Sequence, residues 1–325
     1  MATALKIDPA PFLLDSGNVT VAYFTRRDLL KRPVAGIHEI WSHAGAVKLL
    51  RGQNPDGSWG KPGGYPLHHR PMAETFKRFR LLVGRYEFDR SHPAIEAAAE
   101  FLFSTQTRQG DFRGMIGDQY ATYYTGEFAS LLIRAGYGED PRIDRAMTWL
   151  LAMRQDDGGW IIPVQAPKGG SNRTALKLTS APSVPVEPDR TMPFSHNWTD
   201  MVLRAFAAHP KWKKSAEARR VAKLLKSRFF KPDVYSSYKS ADYWVRFVQW
   251  WPNLLTSLES LVEIGLSAAD PDVAKALRWF RDHQEPDGSW RTTYFPGNKI
   301  SPQNEKGESP WVTLRIARVF KRLEE

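Results

Sequence analysis

The chain has 325 residues, of which 42% are hydrophobic, so it can bury a large core within one or two domains. It has no cysteine, which excludes disulfides, thiolate catalysis and zinc sites that use cysteine. Its formal net charge of +11 favours an anionic partner.

Residues 1–35 are predicted to form an N-terminal arm. The stretch from Val19 to Leu30 has the pattern of a short helix, and Pro33 follows its end. No basic segment followed by an apolar one opens the chain, so we expect no signal peptide. No apolar run is long enough to span a bilayer either, and a cytoplasmic location is expected.

From residue 36 onward the sequence predicts about five pairs of helices. Three of the helices have a capping side chain ahead of an early proline, at Ser91, Asp140 and Asp270. The first helices of the pairs are expected at 36–52, 92–106, 140–155, 214–229 and 270–284, and the second helices at 69–87, 119–136, 195–208, 241–265 and 309–324.

Four turns between these helices contain a glutamine, then a glycine, then a large aromatic residue. They are Gln53–Trp59, Gln106–Phe112, Gln155–Trp160 and Gln284–Trp290. Glycine supplies the positive φ that a helix end needs, and a glutamine amide can tie backbone ends together. The four glutamines lie 53, 49 and 129 residues apart, a long period that indicates a repeat, and repeated helix pairs predict a stacked or closed array.

These turns resemble the QW motif of the triterpene cyclase and protein prenyltransferase superfamily. The resemblance implies an all-α fold, an α/α toroid, formed by residues 36–325. The first helices of the pairs would lie outside, and the second helices would line a central cavity. The protein would be a divergent, terpene-cyclase-like member related to squalene–hopene cyclases. Zinc-dependent protein prenylation is not expected, because that branch holds its zinc through Asp, Cys and His.

An insertion at residues 161–193 follows the third turn. It is rich in Pro, Gly, Ser, Thr and Lys and shows no sustained helical period. A loop of this length in a compact domain is usually functional or disordered. The resemblance places it over a mouth of the toroid, so we interpret it as a lid or mouth loop, with a disordered ornament as the alternative.

Polar and aromatic residues cluster near the expected starts of the second helices, where the resemblance places the cavity. Any one of them could instead serve as an ordinary cap or make a hydrogen bond between helices. The predicted substrate-binding residues are His69, Arg70, Tyr120, Tyr123, Asn197, Trp198, Asp242, Tyr243, Arg246 and Trp251.

Cyclases of the squalene–hopene type protonate an alkene with a carboxylic acid, which the family carries in an Asp-x-Asp-Asp motif. This chain has no such motif, and the corresponding place contains Asp200. Asp200 is therefore the predicted catalytic acid, and His196, one helical turn earlier, would orient it. These two residues are expected to meet Tyr243 and Arg246 in one pocket, with Asp200 buried and protonated near neutral pH.

The favoured function is a terpene-cyclase-like enzyme, an isomerase or lyase, that binds a hydrophobic or amphiphilic isoprenoid-type ligand in its cavity. The positive charge favours an anionic group on this ligand and peripheral contact with an anionic membrane surface. A toroid without catalysis, acting as a binding or scaffold module, is the main alternative. A polysaccharide-lyase-like enzyme that uses Asn197, His196, Tyr243 and Arg246 on anionic sugars is a weaker analogy between folds.

No cofactor, metal or nucleic acid is expected. The sequence has no Asp-rich diphosphate motif, no phosphate-binding loop and no dinucleotide fingerprint. It also lacks the signatures of the common nucleic-acid-binding modules. The oligomeric state is not predicted.

Overall fold

A computed structural model of the protein describes residues 4–166, 172–235, 238–247 and 250–324. Part of the predicted mouth loop, residues 167–171, lies outside the described residues. The described chain is mainly helical, with one short strand. The predicted all-α fold class is confirmed.

The α-helices and the strand follow one another along the described chain. They are α1 (Ala10–Asp15), α2 (Val19–Phe24), α3 (His38–Trp41), α4 (Ala44–Leu50), α5 (His69–Tyr86), α6 (Pro93–Ser104), β1 (Met115–Asp118), α7 (Thr122–Leu132), α8 (Pro141–Ala152), α9 (Asn172–Ser180), α10 (His196–Ala208), α11 (Ala216–Lys226), α12 (Leu254–Ile264), α13 (Pro271–Asp282) and α14 (Pro302–Glu324). Turns of π-helix extend α2 and α7 at Thr25–Leu29 and Ile133–Tyr137, and 3₁₀ turns occur at Pro163–Gln165, Trp212–Lys214 and Ala241–Val245.

The chain forms two compact units. One consists of residues 37–221, and the other joins the chain up to Gly36 with residues 222–325. In the second unit, α1 and α2 pack against α14. The Arg318 guanidinium binds the Asp28 carboxylate there, and the Gln284 side-chain oxygen accepts hydrogen bonds from the backbone of Lys6 and Ile7. The N-terminal segment is therefore built into this unit.

Side-chain caps begin several helices. Asp140 and Asp270 cap α8 and α13 as predicted, and each accepts a hydrogen bond from the amide two residues later, at 2.8 and 3.0 Å. The cap of α6 differs from the prediction, because His92 takes this role and Ser91 does not. Proline occupies the first position of α6, so the capping residue is the one immediately before it.

Each glutamine–aromatic turn is hydrogen-bonded to a helix further along the chain, and for the third turn the insertion with α9 comes in between. The backbone N–H of the aromatic residue donates to the hydroxyl of a threonine on that helix, and both residues are fully buried. The pairs are Trp59 with Thr75 (2.9 Å), Phe112 with Thr125 (3.1 Å), Trp160 with Thr199 (3.0 Å) and Trp290 with Thr313 (3.1 Å). These bonds fix where α5, α7, α10 and α14 begin relative to their turns.

The glutamine amide ties each turn to another segment. Gln53 donates to the carbonyl of Ala94 at the start of α6, and Gln106 donates to that of Arg142 at the start of α8, both at 2.8 Å. Gln284 donates to the carbonyl of Ile7 at 2.8 Å. Gln155 donates to backbone carbonyls at the end of the insertion. The turns therefore link successive helix pairs, and the last one links the C-terminal part to the N-terminal segment.

Several predicted elements differ from the structure. The helix expected at 36–52 is divided into α3 and α4, and the helix expected at 309–324 begins earlier, at Pro302. The helix expected at 241–265 consists of a 3₁₀ turn and the shorter α12. Pro252 lies between them, and Asn253 caps α12 in a reciprocal pair with Thr256, which starts the helix there. The insertion, expected to be a loop, contains α9, a nine-residue helix that packs against β1.

We predict that Thr199→Val will destabilise the protein by about 1–3 kcal/mol, because it leaves the buried Trp160 amide without an acceptor. Thr199→Ser keeps the hydroxyl and is the matched control. Urea denaturation at equilibrium measures both. Equal stabilities of the valine and serine variants would contradict the proposed role of this hydrogen bond.

We predict that the protein loses stability in mild acid because of His209. It is buried, and its Nδ1 accepts the amide of Lys211 at 3.1 Å. Burial lowers the pKa of His209, although Asp144 and Glu139 oppose this effect. The unfolded chain therefore binds the extra proton first, and the free energy of unfolding should fall as the pH drops below ~6.5.

His209→Gln should flatten this pH dependence, because a glutamine oxygen accepts the same amide without titrating. Urea unfolding of both proteins across this pH range provides the measurement. An unchanged slope in the variant would show that His209 does not contribute to it.

Candidate functional site

A buried ion cluster joins α7 to α10 in the unit of residues 37–221. The Arg204 guanidinium donates two hydrogen bonds to Asp200, at 3.0 and 2.7 Å, and a third to Glu127 at 2.9 Å. Asp200 is 0% exposed and Glu127 is 4% exposed. Burial by itself would lower the pKa of Arg204, but the two carboxylates outweigh this effect and raise it.

The cluster lies where the two helices approach closely. A Cβ atom added at Gly126 of α7 would lie 2.6 Å from the Cα of Val202 on α10. Glu127 is the next residue of α7, so the glycine contact brings its carboxylate towards the arginine of α10. Charged groups held in this way are stable only as a complete hydrogen-bonded set.

This pairing counts against the acid role predicted for Asp200. The burial that the role requires is present. A general acid must also present its proton to the substrate, however, whereas the Asp200 carboxylate accepts two hydrogen bonds from the Arg204 guanidinium. The arginine one turn along the same helix is the feature that the sequence interpretation overlooked.

The other candidates on α10 are its first residues. His196 is 5% exposed, Asn197 1% and Trp198 1%, and Ser195 caps the helix by accepting the amide of Trp198 at 3.3 Å. His196 lies one turn before Asp200, as predicted. The first turn of α10 is therefore buried throughout.

The insertion is held by residues that precede α7. The Gln119 amide donates to the hydroxyl of Ser183 (2.8 Å) and the carbonyl of Val184 (3.0 Å), and its oxygen accepts the amide of Val186 (2.9 Å). Tyr120, predicted to bind substrate, donates to Glu187 at 3.1 Å. Both residues therefore contact the insertion, whose role as a lid or mouth loop stays a prediction.

A cleft of about 620 Å³ lies in the same unit, between the loop before α5, β1 and α9. Its lining residues are Gly64, Tyr65, His69, Met115, Ile116, Gly117, Gln165, Thr179 and Ser180. His69 was predicted to bind substrate, and the sequence interpretation missed the others. Arg70, the next residue after His69, is exposed and does not line the cleft.

Two rings of the cleft have fixed orientations. The His69 Nδ1 donates to the carbonyl of Gly114 at 2.9 Å. The Tyr65 hydroxyl donates to the carboxylate of Asp118, and this hydrogen bond is the main reason that its pKa is raised to about 12. Tyr65 therefore stays neutral, with its proton directed to Asp118.

Tyr123 belongs to an aromatic cluster on α5 and α7. Its ring lies 4.1 Å from that of Tyr124, between ring centroids, and Tyr124 in turn contacts Phe76 and Phe128 at 5.7 and 5.9 Å. Burial raises the pKa of Tyr124, so this hydroxyl also stays protonated. The cluster offers mainly apolar ring surface.

The remaining candidates lie in the other unit, near the 3₁₀ turn and not on α12. Ser240 caps the turn by accepting the amide of Asp242 at 3.2 Å, and its hydroxyl donates to the Asp242 carboxylate at 2.8 Å. The guanidinium of Arg246 lies 5.7 Å from the ring centroid of Tyr243. Trp251 packs on Tyr238, 4.6 Å between centroids.

Since these residues and α10 belong to different units, a pocket shared by His196, Asp200, Tyr243 and Arg246 stays a prediction. Across the described ranges, no group of three His, Asp or Glu side chains is arranged to hold a metal ion. No helix in the part of the chain that the structure describes is long and apolar enough to cross a membrane.

Comparison with known proteins agrees with the helical repeat. Residues 65–181 match the family model for the squalene-hopene cyclase C-terminal domain, which confirms the predicted resemblance to the terpene cyclase and prenyltransferase superfamily. The matched residues include α5, α7, α8 and all of the described cleft lining except Gly64. No curated protein matches the chain.

Similar solved structures include the type II terpene cyclase MstE from Scytonema, at 14% identity and a TM-score of 0.47, covering 97% of this chain and 96% of that chain. Another is a variant of MstE from Scytonema, with an arginine replaced by alanine, in complex with its substrate geranylgeranyl dihydroxybenzoate. It has 14% identity and a TM-score of 0.45, covering 97% of this chain and 98% of that chain. A third is a protein from Actinoplanes, at 16% identity, a TM-score of 0.43 and coverages of 93% and 88%. These similarities are too low to carry an argument about function.

We predict that Asp200→Asn will destabilise the protein by about 3–5 kcal/mol, because it leaves Arg204 buried with one charged partner fewer. Glu100→Gln is the matched control, since Glu100 also pairs with an arginine, Arg142, but its side chain is 55% exposed. The control should change stability by at most about 1 kcal/mol. Thermal and urea unfolding measure both, and a D200N protein as stable as the control would contradict the structural role.

Proposed function

We propose that this protein is a terpene-cyclase-like protein that binds a hydrophobic or amphiphilic, isoprenoid-type ligand. The observation that carries the proposal is the match of residues 65–181 to the squalene-hopene cyclase C-terminal domain. Squalene, in the name of that family, is an isoprenoid, and this gives the choice of ligand class.

We further propose that Asp200 does not start a cyclisation. The described chain has four buried carboxylates, those of Asp111, Glu127, Asp200 and Asp233. Each of them already accepts a hydrogen bond from an arginine or a backbone amide. Protonation of an alkene needs the opposite environment, an acid that keeps its proton in apolar surroundings.

The second candidate function, a binding module without catalysis, is favoured by this observation. The Asp200–Arg204–Glu127 cluster serves the packing of α7 on α10, and a cluster that joins two helices is needed in a binding protein as much as in an enzyme. Both candidate functions have the same ligand class, so binding and turnover are tested separately.

We expect saturable binding of geranylgeraniol, measured by quenching of tryptophan fluorescence, and weaker binding of a straight-chain alcohol of equal length as the matched control. Twelve tryptophans make this readout sensitive. Incubation with geranylgeraniol or squalene, followed by gas chromatography and mass spectrometry, should return each compound unchanged.

Two outcomes would contradict this account in different ways. Equal, non-saturable binding of both alcohols would contradict the proposal that the protein binds an isoprenoid-type ligand. A cyclised product that the wild type forms and a folded D200N variant does not form would restore the catalytic-acid role.

A further inference from the structure

Four polar side chains of the cleft lining already donate hydrogen bonds within the protein. The Tyr65 hydroxyl donates to Asp118, and the His69 Nδ1 donates to Gly114. The Thr179 hydroxyl donates to the carbonyls of Ala175 and Leu176, at 3.0 and 3.2 Å, and the Ser180 hydroxyl donates to Leu176 at 2.6 Å. Four side chains of the lining therefore present lone pairs to a ligand.

The remaining capacity of each group follows from its chemistry. A hydroxyl oxygen that donates its hydrogen can still accept, and a neutral imidazole that donates from Nδ1 accepts at Nε2. Gln165, also in the lining, supplies one further oxygen and the only side-chain N–H donors of the set. Acceptors thus outnumber donors in the described lining.

The charges around the cleft also disfavour an anion. None of its described lining residues is lysine or arginine. Asp118, which is bonded to Tyr65, also accepts the amide of Ser183 at 3.3 Å. The described lining therefore offers an anion no lysine or arginine side chain.

We propose that this cleft binds a neutral, hydroxyl-bearing group, such as the alcohol end of an isoprenoid, and selects against phosphate and carboxylate ends. Met115 and Ile116 supply the apolar part of the lining, and the volume of about 620 Å³ lies in the range of small-molecule sites. The inference rests on the proposed function only for the isoprenoid tail. It replaces the sequence-based expectation of an anionic group on the ligand with a neutral one.

The test compares ligands that share an isoprenoid tail and differ in the polar group at its end. Farnesol and farnesyl diphosphate share a farnesyl tail and differ in their end group. Prenol has the same alcohol group as farnesol on a much shorter tail. Isothermal titration should give a dissociation constant for farnesol at least ~10-fold lower than for farnesyl diphosphate. Ligand-observed NMR should show that prenol also binds, weakly, and competes with farnesol.

Two variants locate the binding. Ser180→Ala removes one acceptor from an exposed position, and His69→Phe removes the imidazole acceptor. Each substitution should weaken the binding of farnesol roughly three- to tenfold. His68→Phe is the matched control, since His68 is the exposed neighbour outside the lining. Thermal melting identifies any variant that fails to fold. If His69→Phe fails to fold, the effect of Ser180→Ala on farnesol binding decides whether farnesol binds in the cleft.

Tighter binding of farnesyl diphosphate, or no binding of either alcohol, would overturn the inference. Farnesol binding that neither Ser180→Ala nor a folded His69→Phe weakens would also overturn it. Prenol binding without any gain for farnesol would leave the cleft inference standing and would contradict the proposed isoprenoid-binding function.

Discussion

The hydrogen bond between a turn amide and a buried threonine hydroxyl is the interaction on which the helical arrangement depends. Trp59, Phe112, Trp160 and Trp290 each place a backbone N–H in the core, where an amide without an acceptor is costly. The threonine both satisfies the amide and fixes the register of the next helix. Three of the aromatic residues also donate their indole N–H to a carbonyl near the end of the preceding helix.

This constraint positions the parts of the candidate site. The turn at Phe112 sets the start of α7, and the turn at Trp160 sets the start of α10. With both helices fixed, Gly126 allows close contact, and Arg204 reaches Asp200 and Glu127 together. The buried charges are therefore a consequence of helix packing. Since breaking such a set leaves an unpaired charge in the core, it also makes the packing specific.

The glutamine–aromatic turns were predictable because their pattern is local and repeated. The threonines were not, because they follow their aromatic residues by 16, 13, 39 and 23 residues. The same variable spacing conceals the cleft, whose walls come from the loop at Gly64, from β1 and from α9. Residue type indicated that His69 could bind a ligand, but only the three-dimensional structure shows which of its nitrogens is already used.

Asp200 shows the other limit of sequence interpretation. Its burial could be expected from its place near the start of a helix that resembles a cavity-lining one. Its ionic partner is four residues away on the same helix, a spacing that is equally common on solvated surfaces. The sequence does not distinguish a buried pair from an exposed one, and that difference separates a structural carboxylate from a proton donor.

Native mass spectrometry of the protein purified from cells tests the central claim, that this fold holds a neutral isoprenoid-type ligand. We expect an adduct that is released on denaturation and identified by lipid analysis as an uncharged isoprenoid, and that is reduced in the Ser180→Ala variant. A protein that carries no lipid and gains none on incubation with geranylgeraniol would contradict the account. An adduct identified as a prenyl diphosphate would contradict the neutral-ligand assignment.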